Sequence, residues 1–229
     1  GSAAFSGVIG SDTVTIVTTG VTGAFSSAGF GTNKTVQISG VSKSGTDAGN
    51  YTITQPTTTA SISKYVLTVT GITAANKTYD ASTTATLSTG SAALVGVQNG
   101  ETVTLNTGSA AGAFGDKNVG TGKSVQVSGL TVSGATASNY TLTQPTTTAN
   151  ITAKTLTVSG ITAGNKTYNA SNVATLSTGS AAFVGVESGD SVTIGVGSVT
   201  GTFADKNIGT GKRSEEHTSE LQSQFRISY

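Results

Sequence analysis

The sequence predicts an all-β protein made of tandem small antiparallel β-sandwich repeats, and three observations support this prediction. Apolar and polar residues alternate over short segments such as Leu67-Thr68-Val69-Thr70, which is the pattern of a half-buried strand. Turn signals separate these segments, and the 31 glycines lie among abundant Ser and Thr, which have low helix propensity. The whole pattern then recurs after 89 residues, from Leu67 to Leu156.

The repeat defines the expected domain organisation. The segments 67–97 and 156–186 are nearly identical, and the same offset relates Phe114 to Phe203 and Tyr51 to Tyr140. We therefore expect the C-terminal part of one repeat in residues 1–63, a complete repeat in 64–152 and the N-terminal part of a third in 153–212. A period of 89 residues is long enough for each repeat to have its own small core.

Each repeat carries several further alternating runs, for example Val103–Leu105, Val125–Val127 and Tyr140–Thr143. About six to eight short strands in 90 residues are typical of an Ig-like sandwich. The join between repeats, residues 140–158, contains no glycine, and alternation resumes within it. A short join of this kind restricts the angle between neighbours, so the sequence predicts an elongated, semi-rigid rod.

The last seventeen residues do not follow the repeat. Residues 213–229 hold both arginines and the single histidine of the chain. The segment Arg213–Ser223 resembles the in-frame translation of a short-read sequencing adapter. We therefore expect residues 213–229 to be an artefactual or disordered tail and exclude them from functional interpretation.

Composition excludes several functions. A formal net charge of +1 with only 10% charged residues gives no basic surface for nucleic acid. Cysteine is absent, and no apolar run reaches the roughly 18–20 residues that cross a bilayer, so we expect no membrane insertion. Because the chain begins at Gly1 without a methionine, we expect it to be an internal piece whose export signal and anchor lie outside it.

Without the tail, the chain lacks His, Cys and Arg, so neither a Ser-His-Asp site nor a His-ligated metal centre can form. Asp80 becomes Asn169 in the next repeat, a change that a paired-carboxylate site would not tolerate. Asp116 and Asp205 recur, and we interpret them as Asx-type turns, with a weak Ca²⁺ site as the alternative. The sequence thus predicts no enzyme, no cofactor and no catalytic, cofactor-binding or metal-binding residues.

Other patterns have simpler structural interpretations. Gly120–Lys123 is too short for a phosphate-binding loop and is expected to be a turn. Asn-X-Thr triplets at Asn76 and Asn165 are expected by chance in a Thr-rich β protein, with glycosylation as the alternative. The tyrosines Tyr51 and Tyr140 are expected in the core or at a corner. A Lys–Asn crosslink at Lys77 or Lys123 would need a buried acid that the sequence does not identify.

Three segments together form a recognisable motif: residues 77–81 (KTYDA), 112–123 (GAFGDKNVGTGK) and 139–142 (NYTL). They resemble the YDG repeat of filamentous-haemagglutinin-like exoproteins from Gram-negative bacteria. In this chain Ala81 and Ala170 stand where the motif has Gly, and Asn169 stands where it has Asp. The resemblance implies secretion and a place on the Gram-negative cell surface, and it provides no catalytic residues.

These observations predict a non-catalytic stalk or spacer in a large secreted adhesin, which projects a distal binding region from the cell. The expected partners are neighbouring repeats of the same chain, with host or environmental glycans contacted through regions outside it. One alternative is a glycan- or surface-binding module, for which Thr57–Thr59 and Thr146–Thr148 are the candidate rows. Another is an accessory array attached to an exported enzyme.

Overall fold

The computed structural model describes residues 4–212, together with the backbone of residues 214 and 215. Its regular elements within residues 4–63 are five strands and one short 3₁₀ turn at Ala48–Asn50. The strands are β1 (Thr15–Val17), β2 (Thr22–Phe25), β3 (Gly31–Ser39), β4 (Ser42–Ser44) and β5 (Thr57–Ile62).

The strands of residues 64–152 are β6 (Tyr65–Thr70), β7 (Thr73–Ala74), β8 (Lys77–Thr78), β9 (Thr84–Ala85), β10 (Leu87–Ser88), β11 (Ala93–Val95), β12 (Thr104–Asn106), β13 (Ala111–Phe114), β14 (Gly120–Ser128), β15 (Thr131–Ser133), β16 (Tyr140–Leu142) and β17 (Thr146–Thr152). A second 3₁₀ turn, Ala137–Asn139, precedes β16. From residue 153 onward they are β18 (Thr157–Ser159), β19 (Thr162–Ala163), β20 (Val173–Ala174), β21 (Leu176–Ser177), β22 (Ala182–Val184), β23 (Gly201–Phe203) and β24 (Ser214–Glu215).

The all-β prediction is confirmed, since the described residues contain strands, turns and the two 3₁₀ turns but no α-helix. The elements also keep the sequence offset: β3 begins at Gly31 and β14 at Gly120, while β11 and β22 begin at Ala93 and Ala182. The boundaries expected for the repeats stay a prediction, as does the rod. Of the tail expected in residues 213–229, residue 213 and residues 216–229 lie outside the described part.

Among the strand pairs of the described residues, most are antiparallel and two are parallel. β16 pairs with β6, which places Tyr140 opposite Tyr65, and β17 pairs with β8, which places Ile151 opposite Lys77. Parallel neighbours need a long crossover, and here the chain between β6 and β16 forms β7 to β15. The largest sheet has the order β8-β17-β14-β13-β9. Alternation alone does not reveal strand direction, so the sequence did not predict the parallel pairs.

The chain forms two compact units. The first comprises residues 4–74, 86–112 and 126–147. Its hydrophobic cluster consists of Val69, Ile72, Val127 and Leu130, against which half-buried leucines and alanines pack. In β6 and in the second half of β14, buried and exposed residues alternate, as the sequence pattern predicted.

The second unit comprises residues 75–85, 113–125 and 148–212, as far as its side chains are described. Its buried apolar residues are Ala85, Phe114, Val125, Ala149, Ile151 and Ala174. Only Val125 and Ile151 in this unit belong to the most fully buried side chains. Both units therefore depend on small cores, which leaves a large role for hydrogen bonds in closing their loops.

Glycine is required at one position of the β6–β7 turn. Gly71 has a φ of +79°, and a Cβ atom there would lie 1.9 Å from the carbonyl oxygen of Ser91. The counterpart Gly160 has a φ of +78° and meets Ser180 at the same distance. The close approach of two backbones explains why this turn glycine occurs in both copies.

A glutamine before each proline forms a clip to a neighbouring backbone segment. The side chain of Gln144 accepts a hydrogen bond from the Leu130 N–H (3.1 Å) and donates one to its carbonyl (2.9 Å). Gln55 makes the same two bonds to Val41, at 3.0 and 2.8 Å. The amide thus acts like one residue of a paired strand, and it satisfies both backbone groups of the buried Leu130.

We expect Gln144→Leu to lower the free energy of unfolding by about 1–3 kcal/mol, because it leaves two backbone groups of a buried residue without partners. Urea unfolding followed by tyrosine fluorescence measures this loss. The matched control is Gln126→Leu at an exposed position of β14, expected to change stability by less than about 0.5 kcal/mol. Equal effects of the two substitutions would contradict a stabilising role for the two hydrogen bonds between Gln144 and Leu130.

Candidate functional site

The side chain of Lys77 closes the loop that follows β8. Its Nζ donates to Asp80 Oδ1 (2.7 Å) and to the carbonyl oxygens of Ser82 (2.7 Å) and Thr84 (3.1 Å). It also lies 5.5 Å from the ring centroid of Phe114, within the range of a cation–π contact. Its three donors are therefore used to hold the loop, and no buried acid of the kind that a crosslink needs is present among the described residues.

Asp80 begins an Asx turn in the same loop. Its Oδ1 accepts a hydrogen bond from the Ser82 N–H at 3.0 Å, and Ala81 between them has a φ of +58°. In the next copy Asn169 accepts from Ser171 at 3.2 Å, and Ala170 has a φ of +60°. Either side-chain oxygen can close this turn, which explains why Asp and Asn exchange here.

The loop between β13 and β14 also contains an Asx turn. Asp116 accepts from the Asn118 N–H at 2.8 Å and from Lys123 Nζ at 2.7 Å. In the third copy Asp205 accepts from the Asn207 N–H at 2.7 Å and pairs with Lys212. The predicted turns at Asp116 and Asp205 are confirmed, and Oδ1 of each carboxylate accepts two hydrogen bonds.

The lysine contacts affect the ionisation of these acids. Hydrogen bonds from Lys77, Lys123 and Lys212, followed by those from the backbone, hold the pKa values of Asp80, Asp116 and Asp205 below their ordinary range. All three acids are exposed, so solvent weakens the attraction. The perturbation therefore indicates structural ion pairs in loops rather than a reactive carboxylate.

The predicted core tyrosine is confirmed at Tyr140, which is 4% exposed. Its hydroxyl accepts from the Gln98 N–H (3.0 Å) and donates to Glu101. In the first copy Tyr51, which is half-buried, accepts from the Ile9 N–H (3.0 Å) and donates to Asp12 (2.6 Å). Burial and the bond to Glu101 raise the pKa of Tyr140, while the bond to Asp12 raises that of Tyr51.

Glu101 lies in a turn whose counterparts carry Asp12 in the first copy and Asp190 in the third, and we call each of them an acid turn. The acid of the third copy also contacts the preceding copy. Asp190, at the position of Glu101 in the third copy, accepts hydrogen bonds from Tyr79 Oη (2.6 Å) and Lys117 Nζ (2.9 Å). Lys117 Nζ lies 5.8 Å from the Tyr79 ring centroid. The hydroxyl of Tyr79 and the ammonium of Lys117 lower the pKa of Asp190. We call Tyr79, Lys117 and Asp190 the carboxylate clasp.

The first and second copies contact each other through equivalent loops. The Phe30 N–H donates to Asn139 Oδ1 at 2.9 Å, and Lys64 Nζ lies 4.9 Å from the Phe30 ring centroid. Asn139 in turn donates to Glu101 at 3.4 Å. In both places the loop between β2 and β3, or its equivalent between β13 and β14, contacts the following copy. The contact is made to the acid turn itself or to the Asn139 that binds it. Sequence reasoning missed this contact, although Asp12, Glu101 and Asp190 are related by the 89-residue offset.

The remaining predicted positions are structural or ordinary surface. Gly122, with a φ of +59°, donates its N–H to Asn150 Oδ1 (2.7 Å), which removes a donor that a phosphate loop would need. Asn76 Oδ1 accepts from the Asn150 N–H (2.7 Å), whereas Asn165 borders an open cleft. The two Thr rows differ, because Thr57–Thr59 are all exposed and Thr147 in the later row is half-buried.

The residues that the structure describes contain no group of three or more His, Cys, Asp or Glu side chains able to hold a metal ion. None of their helical segments is long and apolar enough to cross a membrane. A family model described as the YDG domain matches the chain in three segments, residues 1–60, 63–149 and 152–227. No curated protein and no solved structure matches it.

We expect Ala81→Gly to stabilise the chain by about 0.5–1 kcal/mol, because an alanine at a φ of +58° is strained and glycine is not. Thermal unfolding measures the change. The control Ala93→Gly replaces an exposed residue in β11 and should have the opposite sign. A destabilising Ala81→Gly would show that the left-handed backbone is absent in solution.

Asp80→Asn and Asn169→Asp form a reciprocal pair for testing the ion pairs by pH. A carboxyl whose folded pKa lies below its ordinary value of 3.8 stabilises the fold above that value and loses this contribution as the pH falls through the folded pKa. Urea unfolding between pH 7 and about pH 2 should show a smaller acid-induced loss for Asp80→Asn and a larger one for Asn169→Asp. Unchanged pH profiles in both variants would exclude the Lys77–Asp80 pair as a stabilising contact.

Proposed function

Because the chain belongs to the YDG domain family, we propose that it is a non-catalytic spacer in a large secreted adhesin. In this proposal the repeats extend a distal binding region away from the surface of a Gram-negative cell, as the resemblance to filamentous-haemagglutinin-like exoproteins implies. The expected partners are neighbouring repeats, while glycans or other host molecules are contacted elsewhere in the full protein.

The observation that carries the proposal is the direct contact between consecutive copies. Tyr79 and Lys117 donate hydrogen bonds to Asp190 of the following copy. Phe30 of the first copy contacts Lys64 and Asn139 of the second. Hydrogen-bonded neighbours resist bending more than domains joined by a flexible linker do. A spacer needs that resistance, because a freely jointed chain would collapse towards the cell surface.

The pattern of retained residues also supports a scaffold. Between copies the retained side chains close loops, such as Lys77 and Lys166, which bind carbonyl oxygens of the following loop. At Asp80 and Asn169 the charge changes while the turn is kept. A repeated active site would require the opposite, a constant charge on a reactive group.

Small-angle X-ray scattering of the full chain, extrapolated to infinite dilution, tests this proposal. A compact globule of this length has a radius of gyration of about 17 Å, and we expect a clearly larger value with the profile of a stiff particle. Asp190→Ala, which removes both bonds of the carboxylate clasp, should make the particle more flexible. Asp205→Ala, which removes the same charge from a turn within the third copy, is the matched control. A compact wild-type particle, or a flexible one unaffected by Asp190→Ala, would contradict the spacer.

A further inference from the structure

Two pairs of parallel strands connect the beginning of the copy in residues 64–152 to its end. Its first strand, β6, pairs with β16, and its last strand, β17, pairs with β8. We propose that these parallel pairs make the copy a load-bearing module, which resists unfolding when the chain is pulled from both sides. The inference rests on the proposed spacer function, because a spacer between a cell and a bound surface is under tension.

The direction of a strand pair decides how it bears a pulling force. Tension enters this copy immediately before β6 and leaves it immediately after β17. β6 is therefore pulled towards its N-terminal end, while β17, and β16 before it, are pulled towards their C-terminal ends. In a parallel pair these pulls are opposite and lie along the strands, so the hydrogen bonds between the strands share the load. An antiparallel hairpin pulled at its two ends instead opens one bond at a time.

The β6–β16 pair has the contacts that such a load requires. Three residue pairs are in register, and they end with Leu142 opposite Leu67. The Thr143 N–H then extends the ladder by donating to the Leu67 carbonyl oxygen at 2.9 Å. Leu67 is fully buried, and the rings of Tyr65 and Tyr140 meet edge to face with centroids 6.3 Å apart. Sliding β16 along β6 therefore breaks several backbone bonds and buried apolar contacts together.

The β8–β17 pair holds the other end of the copy. The Tyr79 N–H donates to the Thr152 carbonyl oxygen at 2.9 Å, and Thr152 Oγ1 donates to the Lys77 carbonyl oxygen at 3.4 Å. β17 also lies between β8 and β14 in the largest sheet, and its Ile151 is fully buried. Thr152 is the last residue of β17, so these bonds lie where the tension leaves the copy.

Single-molecule force spectroscopy of the full chain tests the proposal by changing the direction of pulling. The chain has no cysteine, so pairs of introduced cysteines define the points of attachment. Ser63→Cys with Ala153→Cys loads the parallel pairs along the strands, whereas Ser63→Cys with Ser138→Cys pulls β6 and β16 apart from the same end. All three positions are exposed, so we expect both variants to keep the urea midpoint of the wild type.

The first variant should extend in a single step of about 30 nm, the length of residues 65–152 as an extended chain. We expect its unfolding force to exceed that of the second variant about two- to threefold, because three residue pairs share the load instead of breaking in turn. Forced unfolding is governed by the unfolding rate and not by the equilibrium stability, so equal midpoints are compatible with unequal forces. Equal forces in the two directions would overturn the proposal.

Two leucines provide a matched pair of substitutions. Leu142 in β16 and Leu105 in β12 are both half-buried and pack against the same hydrophobic cluster, but Leu105 lies in an antiparallel pair. We expect Leu142→Ala and Leu105→Ala to lower the urea midpoint similarly. Under constant force between residues 63 and 153, Leu142→Ala should raise the unfolding rate about tenfold and Leu105→Ala less than about twofold.

An equal rise in the two leucine variants would likewise overturn the proposal, because the load would then not pass through β16. The scattering experiment on the spacer is independent of these forces. A stiff particle whose unfolding force does not depend on direction leaves the spacer function standing and excludes the load-bearing pairs. A flexible particle with direction-dependent forces excludes the spacer and keeps the mechanical role of the pairs.

Discussion

Hydrogen bonds from polar side chains to loops are the interactions on which the rest of the structure depends. The cores are small, with twelve buried apolar residues and no buried polar or charged residue among those described. Many strands have only two or three residues, too few to stabilise themselves by backbone pairing. Single polar side chains therefore hold the loops in place, each by binding two or more groups. Examples are Gln144, Lys77, Asp116 and Tyr140.

This dependence explains which residues tolerate change. A side chain that holds a loop in this way needs a hydrogen-bond donor or acceptor at the right place, whereas its charge matters less. Asn169 replaces Asp80 without loss of the turn, and the loop after β2 has no Asp-Lys-Asn sequence yet contacts its neighbour through the backbone of Phe30. The lowered pKa of Asp80 follows from the same arrangement, since Lys77 binds loop carbonyls and also donates to this carboxylate.

The sequence predicted the local structure well because alternation and turn chemistry are local properties. The buried faces of β6 and β14 and the Asx turns at Asp116 and Asp205 follow directly from residue order. The parallel pairing of β16 with β6 did not, because it depends on how the intervening chain returns. Contacts between copies were missed for the same reason: Lys117 and Asp190 are 73 residues apart, and only their spatial arrangement relates them.

The position of the intercopy contacts has a consequence for the evolution of the gene. The hydrogen-bonded groups in these contacts lie within the copies, on the loops after β2, β8 and β13, on the 3₁₀ turn before β16 and at the acid turn. Recombination that inserts or removes whole copies therefore places the contact loops of one copy beside the acid turn of the next. The length of the array can change in a single step, without an intermediate protein that lacks a junction.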